Sequence, residues 1–340
     1  MAIHAICRLG RSLTTPEYKG RCDRPTEDAG LFDRRRVLRT GIAAAALAPL
    51  GVAGRAFAAA ASASGLTVSD LPGGLFIISG AGGVVVAARG PDGAVMVDCG
   101  QADRAEAVQA LVLQKTGAKK VATLFNTCWR LEHTGGNDRL AAAGARIVAH
   151  ENTRLWMSEE IASRWEAKVY PPRALAARPT ATFYAAAPAM PLGAETIDYG
   201  YLLQAHTDGD IYVLFRKANV LVVGAAVAGK GWPVIDWSTN GWIGGMIRGL
   251  DTLIKVADDK TVIVPADGVL LTKADLVKQH AMYLAILGRM QKMMESGLST
   301  AEVLKGAPAA DYVAERGDPT QFLTLAFKSL WGDVREFKAI

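Results

Sequence analysis

The sequence predicts an α+β or α/β fold in which two sheets pack face to face and helices cover their outer surfaces. Short runs rich in Val and Ile recur in two groups, at 75–149 and at 195–264, and helix-like segments accompany each group. Two packed sheets with outer helices would bury both groups of strands. The chain has 340 residues and half of them are apolar, which is enough for one large domain of this kind.

The first 58 residues are typical of an export signal with an extended N-terminus. A basic cluster at 34–39 precedes an alanine-rich apolar run at 41–54, and a small-x-small cleavage site follows at 56–58. This order is that of a secretory signal, and the paired arginines resemble a twin-arginine signal. An uncleaved anchor helix is the alternative. We therefore expect a periplasmic or secreted protein without a stable membrane span after signal removal.

The excess of basic residues is confined to the signal segment. Residues 1–58 hold ten of the 38 Lys and Arg and five of the 33 Asp and Glu, so the remainder of the chain is neutral. A nucleic-acid-binding protein needs a basic patch on its folded body. We therefore expect a small-molecule ligand or substrate and no nucleic-acid partner. The sequence does not indicate an oligomeric state.

The first group of elements is expected to form a sheet with a functional edge. Its predicted strands lie at 75–79, 84–88, 94–97, 121–125 and 146–149. A helix is predicted at 101–115, with Ala105, Val108 and Leu111 on one face. Because this helix joins the strands at 94–97 and 121–125, those strands should be parallel neighbours. The loops that follow them then share one edge of the sheet, where functional loops gather.

The second group follows an irregular segment. A helix is predicted at 155–165 within residues 151–191, which form either a lid or a plain surface excursion. The remaining strands are predicted at 195–199, 201–205, 211–215, 220–224 and 261–264. The remaining helices are predicted at 244–256, 273–295, 298–305 and 319–330.

Four polar turns end predicted strands, at 98–100, 128–133, 206–210 and 267. They carry imidazole, thiol and carboxylate groups, which are the ligands of zinc and related ions. Solvated or helix-capping carboxylates are the ordinary alternative for Asp and Glu in turns. The residue types alone therefore indicate a metal site without establishing one.

The order and spacing of these turns resemble the metallo-β-lactamase superfamily. Residues 126–137 resemble its loop Thr-His-x-His-x-Asp-His-Thr-Gly-Gly-Asn, and residues 206–210 resemble its third-histidine turn. Residues 264–268 resemble its final Pro-Gly-His-Gly. The resemblance implies a four-layer αββα sandwich in a single domain at 59–340, with a helical C-terminal part from about 272. It also implies hydrolysis by metal-activated water.

Compared position by position with that family, the implied metal site is altered. Arg130 stands where the second histidine would be, and Ala225 where the bridging aspartate would be. Arginine does not ligate zinc and alanine offers no ligand, so the two-metal site of the family cannot be complete. The resemblance leaves five candidate metal ligands: Cys128, Glu132, His133, His206 and Asp267.

Two hypotheses follow for this site. In the first, Glu132, His133 and Asp267 hold one divalent metal, most simply zinc, whose bound water hydrolyses an ester, amide or lactam bond. In the second, the protein is a pseudoenzyme without a metal. Arg130 then supplies the positive charge, pairing with Glu132 or Asp267, or binding a small anion through its planar fork. Glu132 and Arg130 are the candidate catalytic residues if the protein is an enzyme.

Neighbouring residues complete the expected site. Asp98 and Asp208 are expected to orient the ligands through hydrogen bonds. Cys99 and Cys128 lie at the ends of adjacent strands, so an oxidising compartment would allow a disulfide between them. That disulfide would remove Cys128 as a ligand.

Overall fold

The computed structural model describes residues 65–185 and 189–330. Its strands are β1 Thr67–Asp70, β2 Phe76–Ser79, β3 Val85–Arg89, β4 Ala94–Val97, β5 Val121–Phe125, β6 Arg146–His150, β7 Ile161–Ser163, β8 Lys168–Tyr170, β9 Ala181–Phe183, β10 Met190–Leu192, β11 Glu195–Tyr201, β12 Ile211–Phe215, β13 Val220–Gly224 and β14 Val262–Pro265. Its α-helices are α1 Ala105–Thr116, α2 Leu131–Thr134, α3 Asn137–Ala142, α4 Glu151–Trp156, α5 Ile243–Val256, α6 Lys273–Glu295, α7 Thr300–Lys305, α8 Val313–Arg316 and α9 Thr320–Leu330.

The strands form two large sheets and one small hairpin. The first sheet has the order β1-β2-β3-β4-β5-β6-β9, and the second has the order β10-β11-β12-β13-β14. As predicted, β4 and β5 are parallel neighbours, and β6 and β9 extend the parallel part. β7 and β8 pair only with each other. The carboxyl ends of β4, β5 and β6 therefore meet at one edge of the first sheet.

Side chains point alternately to the two faces of each strand, and the apolar ones form three apolar clusters between the layers of the fold. One side of the first sheet, including Val86 and Val95, packs on Val213 and Val222 of the second sheet. The opposite side of the first sheet packs on α1 and α3. The outer side of the second sheet packs on α5, α6 and α9. The layers are therefore helix, sheet, sheet and helix, as the sequence predicted.

Most predicted elements agree with the structure to within a few residues, and two do not. The segment predicted as a helix at 155–165 forms the end of α4 and then the hairpin strand β7, because 161–163 pairs with 168–170. The strand predicted at 201–205 ends at Tyr201, because the chain turns there and Gln204 adopts φ of 51°. Both errors arise where tertiary pairing overrides a local apolar pattern.

The predicted export signal at 1–58 lies outside the described residues. Within the part of the chain that the structure describes, no helix combines the length and apolar character that a membrane span requires.

Candidate functional site

Asp98 anchors the site at the carboxyl end of β4. It is buried and adopts φ of 60°, a conformation that Asp tolerates better than most residues. Its Oδ1 accepts a hydrogen bond from the Thr127 backbone N–H at 2.8 Å, and its Oδ2 accepts one from the Thr127 hydroxyl at 2.6 Å. These bonds tie the loop after β5 to the loop after β4. The expected orienting role of Asp98 therefore agrees with its contacts.

His133 is the histidine that Asp98 holds. It lies on α2. At the end of this helix, Gly135 packs so closely on the backbone of Ala102 that a Cβ on residue 135 would come within 2.4 Å of the Ala102 nitrogen. Its Nδ1 lies 2.7 Å from Asp98 Oδ2 and 3.1 Å from Thr127 Oγ1. Because a carboxylate only accepts hydrogen bonds, Nδ1 carries the proton. The other ring nitrogen, Nε2, is then left for Cys128.

His206 approaches Cys128 from the second sheet. Its Nδ1 donates to the Val234 carbonyl at 2.8 Å. Its Nε2 is buried and lacks a hydrogen-bond partner among the described residues. Burial lowers the pKa of His206, but the thiol and the Asp210 carboxylate outweigh burial and raise it to about 9. Burial in turn raises the pKa of Asp210 to about 6.

Cys128 is buried between these two imidazoles. Burial by itself would raise the pKa of its thiol, because a thiolate is poorly solvated in the interior. The charges and polar contacts of His133 and His206 outweigh burial and lower the pKa. Burial likewise lowers the pKa of His133, but the neighbouring Cys128 and Asp98 raise it well above its ordinary value. The group is a thiol with two bases, one of them oriented by a carboxylate.

Cys99 and Cys128 are both free and buried in this structure, and the disulfide between them stays a prediction. The Cys99 Sγ donates towards the His133 carbonyl and Asn137 Oδ1, each at 3.3 Å. Burial and the charge of Asp98 raise the pKa of Cys99 strongly. Because they follow adjacent strands, the two residues lie at the same edge of the first sheet, but their sulfurs interact with different partners.

Arg130 contacts three carboxylates. Its Nε donates to Glu132 Oε1 at 2.8 Å, and its two terminal nitrogens donate to the oxygens of Glu166 at 2.7 and 3.3 Å. Its Nη1 also lies 3.6 Å from Asp236 Oδ2, a side chain with no exposed surface. The guanidinium also lies against two tryptophan rings. Its carbon is 5.4 Å from the centroid of the Trp129 ring and 5.3 Å from the centroid of the Trp165 ring. Such contacts favour a cation.

Glu132 points to Arg130. Burial raises the pKa of this carboxyl, but the charges of His133 and Arg130 outweigh burial and lower it to about 2. The expected pairing of Arg130 with Glu132 is therefore present, but the alternative pairing with Asp267 is not among its ion pairs. The fork of Arg130 is bidentate, as expected, but it binds Glu166 of the protein itself.

Asp267 and Asp208 have other partners. The Asp267 oxygens accept from the backbone N–H groups of Lys230 at 2.8 Å and Val269 at 3.1 Å, which stabilises the turn after β14. Asp208 Oδ1 accepts from Asn152 at 2.8 Å and from the Tyr201 hydroxyl. The carboxylate that influences His206 is Asp210 instead. The orienting role expected of Asp208 thus has no contact that supports it.

A cleft of about 800 Å³ lies beside Arg130. One wall comes from the loop at 129–132 and the opposite wall from the β7–β8 hairpin. Its aromatic and apolar lining consists of Trp129, Leu131, Trp156, Met157, Ile161 and Tyr170. Lys168 and Arg173 also line it, and Lys168 lies over the Tyr170 ring at 4.4 Å from its centroid. The segment considered as a lid therefore supplies a cleft wall.

Sequence reasoning missed Glu166, Asp236 and Asp210. A buried arginine requires carboxylate partners, so Arg130 itself was the signal that such partners exist. Nothing local identifies Glu166 and Asp236, because they reach Arg130 from separate segments. Asp210 lies in the turn that the sequence singled out, and its buried contacts with Thr207 distinguish it from Asp208.

Neither the family models nor the curated proteins include a match to this chain. Solved structures do match. A metallo-β-lactamase from Pontibacter korlensis is 17% identical with a TM-score of 0.51, covering 64% of this chain and 99% of its own. The chain has the metallo-β-lactamase fold. The inverting sec-alkylsulfatase Pisa1 from Pseudomonas sp. is 14% identical with a TM-score of 0.63, covering 79% of this chain and 50% of its own. The DIM-1 metallo-β-lactamase is 15% identical with a TM-score of 0.50, and the match covers 64% of this chain and 96% of that protein.

The residues present do not fit a metal centre in this metallo-β-lactamase fold. Of the five candidate ligands, Glu132 is bound to Arg130 and Asp267 to backbone amides. Within 65–185 and 189–330, no three or more His, Cys, Asp and Glu side chains are arranged to hold an ion. The electrostatic partners of Cys128 are His133, on the same loop, and His206, from the second sheet.

Proposed function

We propose that this protein is an exported pseudoenzyme of the metallo-β-lactamase fold, which binds a small molecule in the cleft beside Arg130 and does not depend on a metal. The supporting observation is the guanidinium of Arg130, which contacts Glu132, Glu166 and Asp236. The arginine supplies a permanent positive charge at the loop position where the resemblance implies a metal-binding histidine. A metal ion is then not needed to neutralise these carboxylates.

Electrostatics favours this proposal over the metal-dependent hydrolase. At about 4 Å, two like unit charges repel by roughly 4 kcal/mol at the effective dielectric constant of a protein surface. A divalent ion beside Arg130 would meet twice that repulsion. The carboxylates that could offset it already bind the guanidinium, so an entering ion would have to displace Arg130 first.

The cleft also indicates the class of ligand. Its wall of Trp129, Trp156 and Tyr170 suits an aromatic or apolar body. The charge of Arg130 is already compensated, so an anionic ligand group would contact Lys168 and Arg173 instead. Arg173 is paired with the exposed Asp138 at 3.1 Å, and an ion pair of that kind is weak. We therefore infer a small aromatic or apolar ligand with one anionic group.

Metal content is the first test. We expect untagged protein, purified without chelator, to contain far less than one divalent ion per chain by mass spectrometry. Adding zinc should leave its melting temperature unchanged. Stoichiometric metal that is lost in Glu132→Ala would reject the pseudoenzyme and favour the metal-dependent hydrolase.

Ligand binding is the second test. Trp129 and Trp156 line the cleft, so 1-naphthoate, a small aromatic carboxylate, should change the protein's tryptophan emission on binding. Lys168→Gln should weaken this binding, and Lys305→Gln, on α7, is the matched control. Naphthalene without the carboxylate should bind more weakly than 1-naphthoate. Equal binding to both variants would contradict the assignment of the anionic end to Lys168.

Export is a separate part of the proposal. It is supported by the sequence order at 34–58, which is that of a signal. Replacing Arg34 and Arg35 together by Lys should leave the full-length precursor in the cytoplasm. Unchanged export would argue against the twin-arginine route, and no export of the wild type would argue against a signal at all.

A further inference from the structure

Arg316 is a buried cation that binds mainly backbone carbonyls. Only 9% of its side chain is exposed. Its Nη1 donates to the carbonyl oxygens of Ala228 at 3.1 Å and Gly231 at 3.4 Å. Its Nε lies 3.3 Å from Glu315 Oε1 without the alignment of a hydrogen bond, so this buried nitrogen lacks a hydrogen-bond partner among the described residues. The Glu315 side chain is 74% exposed, and an ion pair with so solvated a carboxylate is weak.

Gln279, on helix α6, provides a second buried donor. The residue is fully buried, and its Nε2 has no hydrogen-bond partner within the part of the chain that the structure describes. Its Oε1 accepts a long hydrogen bond, of 3.4 Å, from the hydroxyl of Tyr283 one turn further along the helix. Because buried polar atoms are nearly always paired, Gln279 Nε2 requires an acceptor that these side chains do not supply.

The electrostatic influence of Arg316 reaches α6 on both sides of Gln279. Hydrogen bonds from Thr272 are the main cause that lowers the pKa of Asp275, and the charge of Arg316 adds to it. Burial raises the pKa of Tyr283, and the charge of Arg316 opposes that rise. Asp275 and Tyr283 lie one helical turn before and after Gln279, on the same face of the helix. The guanidinium therefore lies over the part of α6 that carries Gln279.

Aromatic contacts connect Arg316 to the same face of α6. Trp232 Nε1 donates to the carbonyl of Gly317, the residue after Arg316, at 3.0 Å. The Trp232 ring stacks on Phe322 with 4.9 Å between the ring centroids, and the Phe322 centroid lies 5.5 Å from that of Tyr283. Phe322 and Tyr283 belong to the buried apolar cluster on the outer side of the second sheet. This chain of contacts links Arg316 to Tyr283 and so to the buried amide.

We propose that Arg316 and Gln279 form a binding site for a small monovalent anion of halide size, most simply chloride. Arg316 Nε and Gln279 Nε2 are both donors, so the missing partner is an acceptor. The guanidinium is buried with weak compensation, which favours an acceptor that carries negative charge. Because Gln279 is fully buried, a bulky anion such as gluconate would have to open the helical layer to reach it. Neither residue lines the cleft beside Arg130, so this site is independent of the proposed function.

Chloride dependence of stability is the first test. Full-length protein would be unfolded thermally in sodium chloride and in sodium gluconate of equal ionic strength, which keeps general screening the same. Because an anion that binds only the folded state stabilises it, we expect the melting temperature to be higher in chloride by about 2–4 °C. In chloride NMR, the protein should broaden the chloride line, and added bromide should narrow it by competition. Equal melting temperatures with an unbroadened line would overturn the proposal and leave water as the partner of both donors.

Gln279→Glu tests whether the two donors share one site. The carboxylate has the shape of the amide and would itself supply the missing negative charge beside Arg316. We expect this variant to lose the difference between chloride and gluconate, and to be at least as stable in gluconate as the wild type. If residue 279 does not face Arg316, the same change buries an uncompensated charge and lowers the melting temperature in both salts. That result would reject the shared site.

Arg316→Gln removes the cation, and Arg289→Gln is its matched control. Arg289 also donates to a backbone carbonyl, that of Pro308 at 2.8 Å, but it has a hydrogen-bonded carboxylate partner in Asp311. Arg316→Gln should abolish the broadening of the chloride line, whereas Arg289→Gln should retain it. Loss of the broadening in both variants, or in neither, would reject Arg316 as the residue that holds the anion. If Arg316→Gln does not fold, the wild type and Gln279→Glu still decide the proposal.

Discussion

Cys128 and Arg130 lie two residues apart on one loop, and their surroundings differ in how completely polar groups are paired. Arg130 has three carboxylates around its guanidinium; burial lowers the pKa of the guanidinium, but Glu132 and Glu166 outweigh burial and raise it, so the group stays charged. Cys128 interacts with two imidazoles, and one of them, His206, retains a buried nitrogen that has no hydrogen bond to the residues that the structure describes. A fully paired group stabilises a fold, and an incompletely paired one is available for chemistry. The loop thus combines a stabilising half and a reactive half.

The largest expected effect comes from removing the guanidinium of Arg130 from its carboxylate partners. Arg130→Met keeps the volume but leaves Glu166 and the fully buried Asp236 without their cation. We expect the free energy of unfolding to fall by about 3–5 kcal/mol, as for other buried ion pairs that lose one partner. Urea denaturation at pH 7 measures this loss.

An exposed pair provides the matched control for Arg130. Arg216 pairs with Asp198 at the surface, with more than half of the arginine side chain exposed. Arg216→Met should therefore cost less than about 1 kcal/mol. Equal losses in the two variants would show that the Arg130 group is no more than a surface ion pair.

The second effect concerns the influence of Asp98 on the pKa of His133. Asp98→Asn keeps a residue that tolerates positive φ and removes the charge that helps to raise the pKa of His133. The pKa of the His133 ring should fall by about one to three pH units, the usual influence of one adjacent charge. NMR titration of the ring resonances measures it, with His280, which pairs with Asp251 on another part of the fold, as the internal control. An unchanged His133 titration would remove Asp98 as its orienting group.

The third effect concerns the free energy of unfolding at acid pH. The folded-state pKa of Glu132 is about 2, below its ordinary 4.5. Its contribution is therefore fully present above pH 4.5 and is lost as the pH falls towards 2. Glu132→Gln should be less stable than the wild type by about 1–2 kcal/mol at pH 6, after allowance for partial exposure, and the difference should shrink by pH 3. Urea denaturation at both pH values measures it, with the exposed Glu159→Gln as control; a difference as large at pH 3 as at pH 6 would contradict this origin.

The fold was more predictable than the site because fold signals are local. The helix at 101–115 is indicated by a repeated apolar face, and the strands on either side of it by short apolar runs, so β4, α1 and β5 follow from short stretches. The relation of Asp98 to His133 was also predictable, because adjacent parallel strands end side by side. The pairing of Arg130 with Glu132 was predicted too, but its pairing with Glu166 was not, because Glu166 lies in a hairpin whose first strand was predicted as part of a helix. Only the folded chain brings that hairpin against the loop.

The smallest expected effect tests the predicted disulfide between Cys99 and Cys128. Cys99 and Cys128 lie at neighbouring strand ends, but the structure has two free thiols, one hydrogen-bonded to oxygen acceptors and one beside imidazoles. A reducing agent should therefore change the melting temperature of freshly purified protein by no more than about 1 °C. A disulfide closing this loop would contribute about 2–4 kcal/mol, which corresponds to several degrees in a domain of this size. A fall of that size on reduction, absent in Cys99→Ser, would show that oxidation joins the two sulfurs.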